Sequence, residues 1–296
     1  MTPEWIQSGS GASPALAWSM RTEGEIVGTA YAREPGVTYV GDETGSIYAL
    51  DRHGDIAAVT RGFRDLSHIT WADDGSSGAI VSQGDHVARL DVKLKSQWSA
   101  DLPGQVLTVA LDPYGHHLAI GMATRKTFIL NWRNKRVCEF ETIRPLSYIR
   151  FSATEQQIIG AADQGHLCCH ELKGEEIWKE QIFSNVGDMR ITGDARRILL
   201  ASFNHGVQMY DSEGSHRGSY MVEGTPKLID STFVSESVAV ATIENHLYWL
   251  DSDGEMKWAT ETDDEVVGLH CEPLGGGMIV AMKSGWIYRL AWESAE

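Results

Sequence analysis

The densest cluster of reactive side chains is Cys168-Cys169, flanked by His166 and His170. Thiols and imidazoles so close together suit metal binding or thiol redox work. The stretch 165–170 reads as a β-strand, however, and a strand sends adjacent side chains to opposite faces. The pair therefore reads as buried structural thiols. With Cys138 and Cys271 it forms neither the spacing of a zinc site nor that of a disulfide framework. His116, His117, His205 and His246 fall in turns or in the third strand of a unit, His205 and His246 near the loops that precede it, again without ligand spacing. No Gly-x-Ser-x-Gly elbow, phosphate loop or His-Glu-x-x-His motif occurs. Gly275-Gly276-Gly277 is not followed by a helix, so it has no dipole with which to hold a phosphate. No catalytic residue, metal site or cofactor site is expected.

Two polar columns are more informative. Steps of 40 residues give Ala30, Thr70, Ala110, Arg150, Arg190, Asp230 and His270, and two residues earlier Gly28, His68, Thr108, Tyr148, Asp188, Leu228 and Gly268. His68, Tyr148, Arg150, Asp188, Arg190, Asp230 and His270 are candidates for the wall of a central channel, with Arg150 and Arg190 placed to receive an anion. The plainer alternative is an internal network that joins Arg190 to Asp188 or Asp230. A second candidate surface lies in connecting loops. Phe63, Leu102, Ile143, Phe183 and Val222 place apolar side chains there, whereas later loops carry Glu261, Asp263, Asp264 and Glu265, and the earliest carries Glu23 and Glu25. An apolar arc beside acids suits a protein partner whose basic segment meets Asp263 and Asp264. The alternative is that the apolar residues tuck into the body.

The elements that must position these residues repeat. Asp51 recurs at 40-residue steps as Asp91, Asn131, Glu171, Asp211, Asp251 and Ala291, without a gap. A period of that size marks a propeller or another repeat array. In the third unit the pattern predicts strands over 105–111, 117–122, 126–132 and 137–142, with a turn at Asp112-Pro113-Tyr114-Gly115. The second strand of each unit is almost continuously apolar, as expected where both faces are covered. The seventh unit shows three strands, at 265–271, 278–282 and 286–291, and lacks the fourth. Trp18 lies in the register of Trp98, Trp178 and Trp258, so residues 15–20 supply the missing strand. The expected fold is all-β: a seven-bladed β-propeller of four-stranded antiparallel blades, closed by the N-terminal strand pairing with the last blade. Residues 1–14 form an extension of linker-like composition, with Trp5 and Ile6 available to dock, and residues 15–296 form the propeller.

Gly45-x-Ile47-x-Ala49-Leu50-Asp51-x-x-Gly54, Glu171-x-x-Gly174-x-x-x-Trp178 and Asp251-x-x-Gly254-x-x-x-Trp258 resemble the repeat of quinoprotein-type (PQQ-like) propellers, and the related Trp-Asp (WD40-like) repeats share that architecture. Leu50-Asp51, Leu90-Asp91 and Leu250-Asp251 stand where Trp-Asp would be. Quinoprotein alcohol dehydrogenases in that family carry an adjacent-cysteine disulfide over their cofactor and a bound calcium. Here Cys168-Cys169 falls within a strand and no acidic calcium loop of the EF-hand kind is visible, so no pyrroloquinoline quinone is expected.

The 296 residues carry a net charge of −16. That disfavours nucleic-acid backbones and anionic membranes as partners. The start of the chain lacks the basic and apolar regions of a signal peptide, and no apolar run approaches the ~20 residues of a membrane span. The expected setting is the cytoplasm. The expected function is that of a non-enzymatic protein-binding scaffold or a subunit of a larger assembly. The alternative is a small-ligand sensor or enzyme with its site at the mouth of the channel.

Overall fold

The structure, a computed structural model, describes residues 2–292. Its strands form seven antiparallel sheets: six hold four consecutive strands a to d, one of these with a fifth strand from the N-terminal segment, and the seventh holds three consecutive strands completed by a strand from the same segment. The chain is thus an all-β, seven-bladed β-propeller. In the third blade the strands are Val106–Leu111, His117–Met122, Lys126–Asn131 and Arg136–Glu141, within a residue or so of the periodic expectation at each end. Contacts divide the chain into two compact units, residues 27–183 and residues 1–26 with 184–296.

Residues 27–183 hold blades 1 to 4. Strand b of blade 2, Ser77–Ser82, is buried at every position. Side chains such as Ile80 and Val81 therefore pack on both faces of the sheet, and the apolar run in the sequence is the result. Tyr39 stacks on Trp71 at 3.5 Å, joining blade 1 to blade 2.

The second unit holds blades 5 to 7 and the N-terminal segment. Ala15–Arg21 pairs antiparallel with Trp286–Ala291 and supplies the fourth strand of the last blade, with Trp18 opposite Arg289. The preceding residues form a second attachment. Ser10 and Gly11 pair with Ala259 and Trp258, adding a fifth strand to the edge of blade 6. A short helix, Glu4–Gln7, buries Trp5 and Ile6 in a cluster with Trp249, Trp258, Leu269 and Tyr288. The Thr260 hydroxyl donates to the Trp5 carbonyl at 2.5 Å. Gly9 and Gly11 are needed for close approach. A Cβ on Gly9 would lie 2.3 Å from Trp258 Nε1, and one on Gly11 2.2 Å from the Lys257 carbonyl.

The repeated Asp at the c–d turn has a plain role. One Asp51 oxygen accepts from the His53 and Asp55 N–H groups at 2.8 and 3.0 Å. Asp91, Asn131, Asp211 and Asp251 make the same two bonds in their own turns. The turn then needs a positive φ three residues on, which Gly54, Gly174, Gly214 and Gly254 supply and Leu94 and Asn134 adopt at 60° and 58°.

Candidate functional site

Most d–a loops are pinned to the b–c loop of the blade they leave. The N–H groups of Thr22, Leu102, Thr142, Ile182 and Thr262 donate to the carbonyls of Gly285, Asp85, Arg125, Gly165 and Asn245. The threonines tighten the loop further: Thr22, Thr142 and Thr262 donate their hydroxyls to the carbonyls two residues on, at 2.7, 2.7 and 2.8 Å. These loops are rigid platforms for whatever side chain follows.

In strict 40-residue register the apolar arc separates into two columns. Leu102 and Val222 share their column with the buried Thr142, Ile182 and Thr262, and both pack against blade cores. Phe63 also packs inward, against the core around Trp71 and Ile80. It does so because Gly62, at φ 107°, shares the Gly45 carbonyl with Phe63 and leaves the inward position without a side chain. The next column points outward. Ile143 is 62 % exposed and Phe183 88 %, while Glu223 and Asp263 stand at the matching positions in the other unit. Of the predicted apolar arc, only Ile143 and Phe183 present a large apolar surface to solvent.

The two predicted acids also differ. Asp263 is exposed. Asp264 is half-buried and accepts from the Glu265 and Ser284 N–H groups at 2.7 and 2.9 Å. Burial pushes its pKa up, but bonds from Ser284 and Glu265 and the charge of Lys283 together hold it below the usual value. Asp264 shapes the loop, and Asp263 is the acid offered outward. Glu265 is bound by both Lys227 and Lys283. The same unit exposes Met221 at 75 % and Ile243 at 52 %, which the loop column omitted because they lie just outside it.

The channel candidates are placed on strands a. In residues 27–183, His68 is half-buried, with Nδ1 3.0 Å from the Ser67 hydroxyl. Burial lowers its pKa. Arg150 is half-buried beside Tyr148 in sequence and donates from Nη1 to the Ile149 carbonyl at 2.9 Å. In the other unit, Asp188 accepts from the Ile229 N–H at 3.2 Å and Asp230 from the Cys271 N–H at 2.8 Å, each bridging to the next blade. Arg190 pairs with Asp230 at 2.6 Å, and Asp230 is almost fully buried. His270 is half-buried on strand a of blade 7. In this unit the polar column is a blade-to-blade staple.

Blade 4 strand c (His166–Glu171) buries all of its cluster: Cys168, Cys169, His166 and His170 are each at most 3 % exposed. Burial pushes both thiols up to about 12. Cys168 donates to the Gly160 carbonyl, and His170 stacks on Phe140 at 4.2 Å. Such thiols are poor nucleophiles at neutral pH. Among the described residues no group of three or more His, Cys, Asp or Glu side chains could hold a metal ion, and no helix is long and apolar enough to cross a membrane.

No family model matches the chain, and no curated protein matches it. Among solved structures it is similar to the β-propeller domain of Myceliophteria thermophila Cps50 (Swd1), with a TM-score of 0.82 and 15 % identity, covering 95 % of this chain and all of that one. At that identity the likeness speaks for the fold alone.

Proposed function

We propose that this chain is a non-enzymatic scaffold that binds a protein partner through its d–a loops. The observation that carries this reading is the outward turn of Ile143 and Phe183 beside the buried Thr142 and Ile182, on loops held by backbone bonds. A rigid loop that exposes an aromatic side chain is a ready anchor, because little entropy is lost when it binds. Asp263 and Glu223, exposed on d–a loops of the second unit, are a separate candidate for a basic segment. The alternative, a small anionic ligand in the channel, has Arg190 as an anchor, and that guanidinium already pairs with Asp230. The quinoprotein-like repeat is read as shared architecture without the cofactor. Four free cysteines support a reducing, cytoplasmic setting.

The test is Ile143→Ser combined with Phe183→Ser, with folding verified by an unchanged melting curve. The expected result is loss of the stoichiometric partners that the unmodified protein recovers from its own cells. Equal recovery by both proteins overturns the reading.

A further inference from the structure

Blades 5 and 6 enclose a cleft of about 490 Å³ whose walls carry three arginines, Arg196, Arg197 and Arg217. In a chain of net charge −16 such a concentration is an exception. The floor is built rather than incidental. Tyr220 is 5 % exposed and its hydroxyl donates to the Ser252 carbonyl at 2.6 Å. Its ring lies where a Cβ on Gly254 would come within 2.1 Å, so only glycine fits beside it.

The three guanidiniums are unequally engaged. Arg217 donates from Nε to Asp211 at 2.7 Å, which fixes its orientation. The other Asp211 oxygen is taken by the Glu213 and Ser215 N–H groups. Arg196 is 85 % exposed and only loosely paired, with Nε 3.8 Å from Asp194. Arg197, half-buried at the start of strand b (Arg197–Ser202), makes no side-chain hydrogen bond or ion pair with any described residue. Asp211 is taken by Arg217 and Asp194 lies beside Arg196, so Arg197 is the guanidinium left without a bonded carboxylate among the described residues, with Asp253 the other acid of the lining.

We propose that this cleft binds an oxyanion carried on a peptide, either a phosphorylated residue or a Glu/Asp side chain. Guanidinium forks match both groups through paired N–H donors. The peptide supplies the remaining contacts, on the half-buried Met209 of the same cleft. It must do so because the field of a strongly acidic protein repels a free anion. The site is independent of the d–a loop reading, since Ile143 and Phe183 take no part in it.

Fluorescence anisotropy with three labelled degenerate peptide pools tests this. The pools are centred on phosphoserine, glutamate and serine, and unlabelled inorganic phosphate serves as competitor. The phosphoserine or the glutamate pool should bind at least about tenfold more tightly than the serine pool, and Arg197→Gln should weaken that binding by about tenfold or more at an unchanged melting temperature. Should Arg197→Gln fail to fold, Arg196→Gln, which disturbs only the loose pair, is expected to weaken binding in the same direction. Equal binding of all pools, no binding of any, or binding indifferent to the arginine substitutions overturns the site. Inorganic phosphate competing as tightly as the pools overturns its assignment to a peptide.

Discussion

Asp51, Asp91, Asn131, Asp211 and Asp251 each accept two N–H groups with one side-chain oxygen, and Glu171 stands in their column without those bonds. One extra methylene carries its carboxylate past the turn. Glu171→Asp should therefore raise the stability of the chain, and Asp51→Ala should lower it. Urea unfolding at pH 7 checks both, and no change in midpoint for either would contradict the role. The thiols give a second residue-scale expectation. Cys168 and Cys169 are buried with pKa values near 12, so a thiol-specific disulfide reagent at pH 8 should leave both unmodified until denaturant is added. The residue types of this cluster were plain in the sequence, and so was the strand that buries it. Which apolar loop residues face outward was harder to see. Leu102 and Ile143 look alike in composition and differ by one position in register, and one position decides which way a side chain points.

At the scale of elements, blade 4 strand c makes stability depend on pH. Burial depresses the pKa of His166 and His170 below 6.5 in the folded chain. Between those lowered values and 6.5 the unfolded chain binds more protons, so stability is full above about 6.5 and falls as the pH drops below it. Unfolding midpoints measured from pH 7.5 to 5 should show this decline, and His166→Asn with His170→Phe should reduce it, the remainder coming from His68, whose pKa burial also lowers. The N-terminal arm gives another expectation. Trp258, fully buried beneath the arm, should cost about 3–5 kcal/mol when changed to Ala, and the half-buried Trp18 about 1–3 kcal/mol. Removal of residues 1–14 should cause self-association, seen by light scattering, because it uncovers Trp258 and the edge of Met256–Glu261. The closing strand was legible because Trp18 keeps the 40-residue register. The added edge strand was not, because Ser8 to Pro14 has the composition of a linker. The same small residues serve close packing on Trp258 and flexibility, and composition alone does not separate the two.

For the whole molecule, the fold followed from periodicity, while the working surface depends on which few side chains the rigid loops leave outside. A partner bound through Ile143 and Phe183, as proposed, should be held by apolar contact that hardly depends on salt. Lysine positions make the site measurable. Lys126, Lys227 and Lys283 lie at strand ends near the d–a and b–c loops, whereas Lys93, Lys95, Lys135 and Lys173 lie in c–d turns. The most direct measurement is cross-linking mass spectrometry of the protein with its stoichiometric partner, recovered from its own cells. The account predicts partner cross-links at Lys126, lost with Ile143→Ser and Phe183→Ser. Cross-links confined to Lys93, Lys95, Lys135 and Lys173, and unchanged in that variant, would contradict it.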